Sequence, residues 1–267
     1  MKKELKGDYN RNNKKFFLFL VFVLTFFIPD YVFARDWVSV SAGYDYTVAI
    51  STDGTLWAWG GNGYGQLGLG DTIKRYEPTQ VGTDTWVSVS AGGYHTLAIK
   101  SGGTLWAWGY NGYGQLGLGA TGSKNTPTPV GTNHWSSVST GYGYTIAIST
   151  DGTLWAWGYN GNGQLGDGTT ADKSSPVQIG TDNKWISVSA GGYHTIGIKS
   201  DGTLWAWGYN GNGQLGLSDT TDRHTPTQIT DAAISLSKTS LSFSTIEDTN
   251  PSDETFTITN TGGSTLN

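Results

Sequence analysis

Gly152–Gly166 reads GTLWAWGYNGNGQLG, and the same fifteen residues return at Gly202–Gly216. Close variants stand at Gly54–Gly68 and Gly103–Gly117. The tryptophans that open each unit, Trp37, Trp86, Trp135 and Trp185, are 49, 49 and 50 residues apart. A period of that size with several short strands per unit marks a propeller blade. The units run at about 37–85, 86–134, 135–184 and 185–230, so the fold class is all-β.

The second unit shows how one blade forms. Trp86-Val87-Ser88-Val89-Ser90 alternates large apolar and small polar residues, the period of a half-buried strand. Ala91-Gly92-Gly93-Tyr94 is a turn, and His95–Ile99 is a second strand. Lys100–Gly103 reverses the chain, and the other units place Asp53-Gly54, Asp151-Gly152 and Asp201-Gly202 there, a strong hairpin signal. In the third strand, Thr104–Trp108, the indoles of Trp106 and Trp108 point one way and Leu105 and Ala107 the other. Trp57, Trp59, Trp155, Trp157, Trp205 and Trp207 hold the matching structural positions. This alternation predicts wide gaps between sheets filled by indole and narrow ones filled by alanine. Leu116 is an apolar plug for the glycine-rich loop, and Pro127-Thr128-Pro129-Val130 suits an outer edge strand. Such a sheet has two apolar faces and is stable only when stacked on others around an axis.

These residues resemble the repeat of the regulator of chromosome condensation family. The pattern W-x-S-V-S-A-G-x-x-H-T-x-A-I, then G-T-L-W-A-W-G-x-N-x-x-G-Q-L-G, then P-x-x-V-G covers Trp37 to about Thr230. The resemblance implies a seven-bladed propeller with blades completed by strands from adjacent repeats. The motif histidine is Tyr46 in unit one and Tyr144 in unit three, which points to a structural role. Four units leave three arrangements open: an incomplete ring from a fragment, closure at four blades, or self-association through open blade faces.

Both chain ends read differently from the repeats. Residues 1–34 join a basic head, Lys2 to Lys15, to a 13-residue apolar run, Phe16–Ile28, the layout of a secretory signal peptide. The expectation is therefore a secreted or extracellular-surface protein, with no membrane span once the signal is removed. Removing six positive and three negative charges takes the net charge from −5 to −8, which argues against nucleic acid as partner. The chain has no cysteine, so thiolate chemistry and thiolate metal sites are excluded. After Thr230 the tryptophan period stops. Period-two runs at Ile234–Ser237, Leu241–Ser244 and Thr255–Ile258 resemble a partial immunoglobulin-like segment over 231–267.

Candidate chemistry is sparse. Four loops match G-x-G-x-x-G-like spacing, but dinucleotide binding needs a helix to follow, and Pro78, Pro127, Pro176 and Pro226 interrupt the connections. His95 and His194 share one repeat position, and the Asp-Gly carboxylates are turn residues, so no catalytic residue, metal or cofactor is expected. The acidic loops Asp167–Asp172 and Asp219–Asp222 lack calcium-loop spacing. The best binding candidates are loop positions: Tyr64, Tyr113, Asn162 and Asn212 at one repeat position, and Tyr44, Tyr94, Tyr142 and Tyr193 near the other hairpin end. Tyrosine gives rigid amphipathic area with a polar tip. Lys74-Arg75-Tyr76 is the most individual surface feature. These features point to a non-enzymatic module that binds an unknown protein or glycan. A carbohydrate-active enzyme and a structural spacer of a larger protein are the rival readings.

Overall fold

A computed structural model of the chain describes residues 35–230. The leader expected at 1–34 and the immunoglobulin-like segment expected at 231–267 lie outside the described residues.

The described residues form four blades of four antiparallel strands each, with no helix among them. The first contains β1 (Trp37–Ala42), β2 (Tyr46–Ser51), β3 (Thr55–Gly60) and the start of β4 (Arg75–Ala91). The end of β4 opens the second blade, followed by β5 (His95–Lys100), β6 (Thr104–Gly109) and the start of β7 (Lys124–Thr140). The end of β7 opens the third, with β8 (Tyr144–Ser149), β9 (Leu154–Gly158) and β10 (Lys173–Gln178). The fourth is β11 (Trp185–Ala190), β12 (His194–Lys199), β13 (Leu204–Gly208) and β14 (Arg223–Gln228). Because β4 and β7 each serve two blades, the first three are linked into one ten-strand order, and the fourth stands as its own sheet. Pro78, Pro127, Pro176 and Pro226 all fall in the outermost strands, where a missing N–H leaves no ladder bond unmade.

Register explains which residues meet. His95 pairs with Gly109, Leu97 with Ala107 and Ile99 with Leu105, so apolar residues of the two central strands share a face. The hairpin between those strands is held by its aspartate: Asp53 Oδ1 accepts from the Thr55 N–H at 3.0 Å and the Thr55 hydroxyl at 2.7 Å. Hydrogen bonds from Ser51 and Thr55 hold the Asp53 carboxyl down at about 2. Asp151 and Asp201 make the same bonds to Thr153 and Thr203.

The core lies between blades. Val48, Ile50, Leu56, Ala58 and Leu67 of the first blade pack on Trp86, Val89, Ala91 and Trp108 of the second. The second and third blades repeat this with Leu97, Ile99, Leu105 and Leu116 against Trp135 and Trp157. The third and fourth do so with Ile146, Ile148, Leu154 and Leu165 against Trp185 and Trp207. The expected division into wide indole gaps and narrow alanine gaps is therefore corrected. Each gap takes the leucine–alanine face of one blade and the indole face of the next, so one kind of interface serves throughout. Trp108, Trp157 and Trp207 are fully buried. Trp57, Trp106, Trp155 and Trp205 are half-buried and donate Nε1–H to Thr55, Thr104, Thr153 and Thr203 at 2.8–3.2 Å. Trp59 is half-buried because no described blade precedes it.

Polar links cross the same gaps. The Gln66 carbonyl accepts from Thr96 Oγ1 at 2.8 Å and Trp108 Nε1 at 2.9 Å. The Gln115 carbonyl accepts from Thr145 and Trp157, both at 2.9 Å. Tyr46 and Tyr144 donate their hydroxyls to the backbone carbonyls of His95 and His194 on the next blade, each at 2.5 Å. Among the described residues the first and fourth blades share no strand-to-strand packing, so these four blades form an arc that does not close on itself.

Candidate functional site

Two loops of each blade emerge at the same end of the strands: the turn between its first and second strands and the glycine-rich loop after its third. The second loop is built around a buried asparagine. Asn111 Oδ1 accepts from the Leu116 N–H at 3.0 Å, and its Nδ2 donates to the carbonyls of Ala120 and Gly122 at 2.7 and 3.1 Å. Asn62, Asn160 and Asn210 make the corresponding bonds. A glutamine then fixes the loop tip. Gln66 Oε1 accepts from the Tyr64 N–H at 2.9 Å, and Gln115 Oε1 from the Tyr113 N–H at 3.0 Å.

In the first loop, glycine makes room for a ring. A Cβ on Gly92 would lie 2.4 Å from His95 Cε1, and one on Gly43 would lie 2.0 Å from Tyr46 Cε1. With those rings tucked inward, the neighbouring tyrosines turn outward.

The outcome is a continuous surface of eight tyrosines. Tyr44 lies 5.5 Å from Tyr94 and 6.3 Å from Tyr142, Tyr94 lies 6.0 Å from Tyr142, and Tyr142 lies 5.9 Å from Tyr193. Tyr64 joins at 5.3 Å from Tyr94 and 4.8 Å from Tyr110. Tyr110, Tyr113, Tyr159 and Tyr193 continue the chain at 5.9, 5.1 and 6.1 Å. Most pairs are tilted or edge-to-face, the arrangements aromatic rings favour. Tyr44 is 71% exposed, and Tyr64, Tyr113, Tyr142 and Tyr193 are 40–46% exposed. Loss of water around Tyr94, Tyr110 and Tyr193, followed by the neighbouring phenols, pushes their hydroxyls above the usual tyrosine range. The hydroxyls therefore stay protonated, able to donate and to accept. Asp45 borders this surface, within 3.4 Å of Gln66 Nε2.

All six tyrosines singled out in the sequence meet here. Asn162 and Asn212 hold the same loop position as Tyr64 and Tyr113, with their N–H groups on Gln164 and Gln214, but add no ring. Tyr110 and Tyr159 complete the surface and escaped the sequence reading. Their signal was the glycine two residues on: a Cβ at Gly112 or Gly161 would lie 2.0–2.2 Å from the tyrosine hydroxyl.

The remaining charged candidates are occupied in the scaffold. Arg75 pairs with Asp71 at 2.6 Å, Lys173 with Asp167 at 3.0 Å and Arg223 with Asp219 at 2.6 Å. Asp172 and Asp222 accept the N–H of Asn160 and Asn210. Among the described residues no three His, Asp or Glu side chains gather as a metal site.

Comparison with known proteins places this architecture. A family model, the RCC1-like domain, matches residues 27–246. The match runs past residue 230 into the stretch expected to be immunoglobulin-like and supports the repeat family alone. The ultraviolet-B receptor UVR8 of Arabidopsis thaliana is 40% identical over 42 residues, 16% of this chain and 10% of that protein. Human WBSCR16 superposes with a TM-score of 0.68 at 24% identity, covering 74% of this chain and 54% of that one. Yeast RCC1 (Prp20) bound to Kap60 superposes with a TM-score of 0.68 at 22% identity, covering 78% of this chain and 51% of that one. Prp20p from Saccharomyces cerevisiae, described with its binding to Gsp1p and histones, gives 0.68 at 22%, covering 76% and 53%. The chain thus spans about half the length of these solved proteins.

These matches correct the expected location. The solved proteins of this fold are described with Kap60 and with Gsp1p and histones, so the secreted or surface assignment drawn from residues 1–34 is withdrawn. With the fourfold blade and a family match over most of its length, the chain belongs to the RCC1-like domain family of β-propeller repeats.

Proposed function

We propose that the chain is a protein-binding module whose contact surface is the tyrosine face. One observation carries this reading: eight tyrosines from four blades touch in sequence on one end of the propeller, although none is needed to fill an inter-blade core. Binding hot spots are enriched in tyrosine, which contributes apolar area while keeping a hydrogen-bonding tip. Solved proteins of this fold are described through protein partners, Kap60 for one and Gsp1p and histones for another, which supports a protein as the ligand class.

The test compares Tyr44→Ala/Tyr142→Ala with Tyr76→Ala, a residue 82% exposed at the start of β4 and outside the tyrosine surface. A partner captured with the wild-type chain is purified and titrated against all three. Loss of two central rings should weaken binding at least about tenfold, while Tyr76→Ala should match wild type. Equal binding by all three would overturn the assignment of the surface. Binding of glycans and no protein would overturn the ligand class.

A further inference from the structure

The two outermost blade faces of the arc are halves of the interface that recurs inside it. Trp37 is 42% exposed, whereas its counterparts Trp86, Trp135 and Trp185 are 2–4% exposed. Val40 is 67% exposed against 9% for Val89. At the other end, Ile198 and Leu204 are 38% and 37% exposed, while the same positions in the first three blades lie at 0–2%.

The polar groups match as well as the apolar ones. On the first blade, Thr47 and Trp59 hold the positions from which Thr96 and Trp108 donate to the preceding Gln66 carbonyl. On the fourth blade, Gln214 holds the position of Gln66. Ser189 holds the position from which Ser41 and Ser139 accept the N–H of Ala91 and Ala190 on the following blade. One end thus carries the donors and indoles, and the other the acceptors and aliphatic side chains.

We infer that a second copy of this chain docks head to tail, the indole face of its first blade on the aliphatic face of the fourth. The occupant is identified by the molecule itself, because three internal interfaces show this same indole face seated on this same aliphatic face. When both joints form, two copies make a ring of eight blades, within the roughly 4–8 that propellers use. Such a pair leaves neither apolar face in water, the condition for a closed assembly. The inference concerns the blade faces and stands independently of the tyrosine surface.

Sedimentation and light scattering on the full chain test it. Wild type should be a dimer that dissociates on dilution. Val40→Asp blocks only the first face, at a residue already exposed. Ile198→Asp blocks only the last, and Ser189→Arg serves there if Ile198→Asp fails to fold. Each variant alone should be monomeric, with dimerisation weakened at least tenfold. Mixed in equal amounts, the two should form a 1:1 dimer through the one intact joint, which only head-to-tail docking allows. A wild-type chain monomeric at every concentration would overturn the inference. So would a Val40→Asp variant that still dimerises, or a mixture that stays monomeric.

Discussion

Tyr46, His95, Tyr144 and His194 occupy one register position and show how single residues tie blades together. Tyr46 and Tyr144 reach a backbone carbonyl of the next blade. His95 is completely buried and places Nε2 3.3 Å from Thr145 Oγ1. Burial holds the His95 imidazole neutral, its pKa lowered to about 3. In the unfolded chain the same group titrates near 6.5. Between those values the unfolded state binds more protons, so stability is present at neutral pH and is lost as pH falls from about 6.5 toward 3. The expected loss from this residue at pH 4 is on the order of 3 kcal/mol. His95→Tyr, which adopts the solution used by the first and third units, should fold and flatten this part of the profile in urea titrations from pH 7 to 4. The aspartates held below their usual range by Ser, Thr, Arg and Lys partners act lower, beneath pH 4. An unchanged slope between pH 6.5 and 4 would reject the histidine account. The sequence marked this position as structural because tyrosine replaces histidine twice. It did not show that the ring leaves its own blade, because that depends on the neighbouring sheet.

At the scale of elements, the hairpins were legible and the long loop was only partly so. Alternation and Asp-Gly turns report local geometry, which a short stretch of sequence determines almost alone. The loop Tyr110–Lys124 is governed instead by Asn111, whose three bonds span eleven residues. Read in sequence, that asparagine is one polar residue among glycines. Leu116, marked as a plug, is fully buried. Asn111→Ala would strand the Leu116 N–H and two carbonyls, at a cost of about 2–4 kcal/mol in chemical denaturation. It should also loosen Tyr113, visible as faster iodination or oxidation of that ring. Asn111→Asp should be no better, because a carboxylate cannot donate to the two carbonyls. A destabilisation below about 0.5 kcal/mol would show that the loop is held by its glycines and not by this side chain. The tyrosine surface follows from the same loops. Six of its members stood out as tyrosines in turns, whereas Tyr110 and Tyr159 required knowing which way each ring leans across its glycine.

For the whole molecule, the repeat fixed the number of blades and their internal order, and the arc supplied what repetition could not. The units pair as two-blade repeats: Tyr46 and Ser51 recur as Tyr144 and Ser149, while His95 and Lys100 recur as His194 and Lys199. Lys100 and Lys199 lie over Trp106 and Trp205 at 3.7 and 3.8 Å and pair with Asp84 and Asp182. The division between β10 and β11 was not visible in the period, since the spacing there is 50 residues against 49 elsewhere. It nevertheless sets the mechanics. Strands β4 and β7 each run on from one blade into the next, whereas between Gln178 and Trp185 the strand is interrupted and leaves a seam in the sheet order. Gly197, where the other blades have alanine, gives its space to the Trp185 ring, which a Cβ would meet at 2.6 Å, and the outer face of β12 leaves Ile198 38% exposed. In deuterium-labelling experiments, amides of β12 should therefore exchange well before those of β5 and β8, while β5 and β8 open together. Uniform protection across the three strands would mean the seam transmits load as well as the shared strands do. The fourth blade is thus the chain's natural door leaf, hung on one seam while its three companions swing as a single panel.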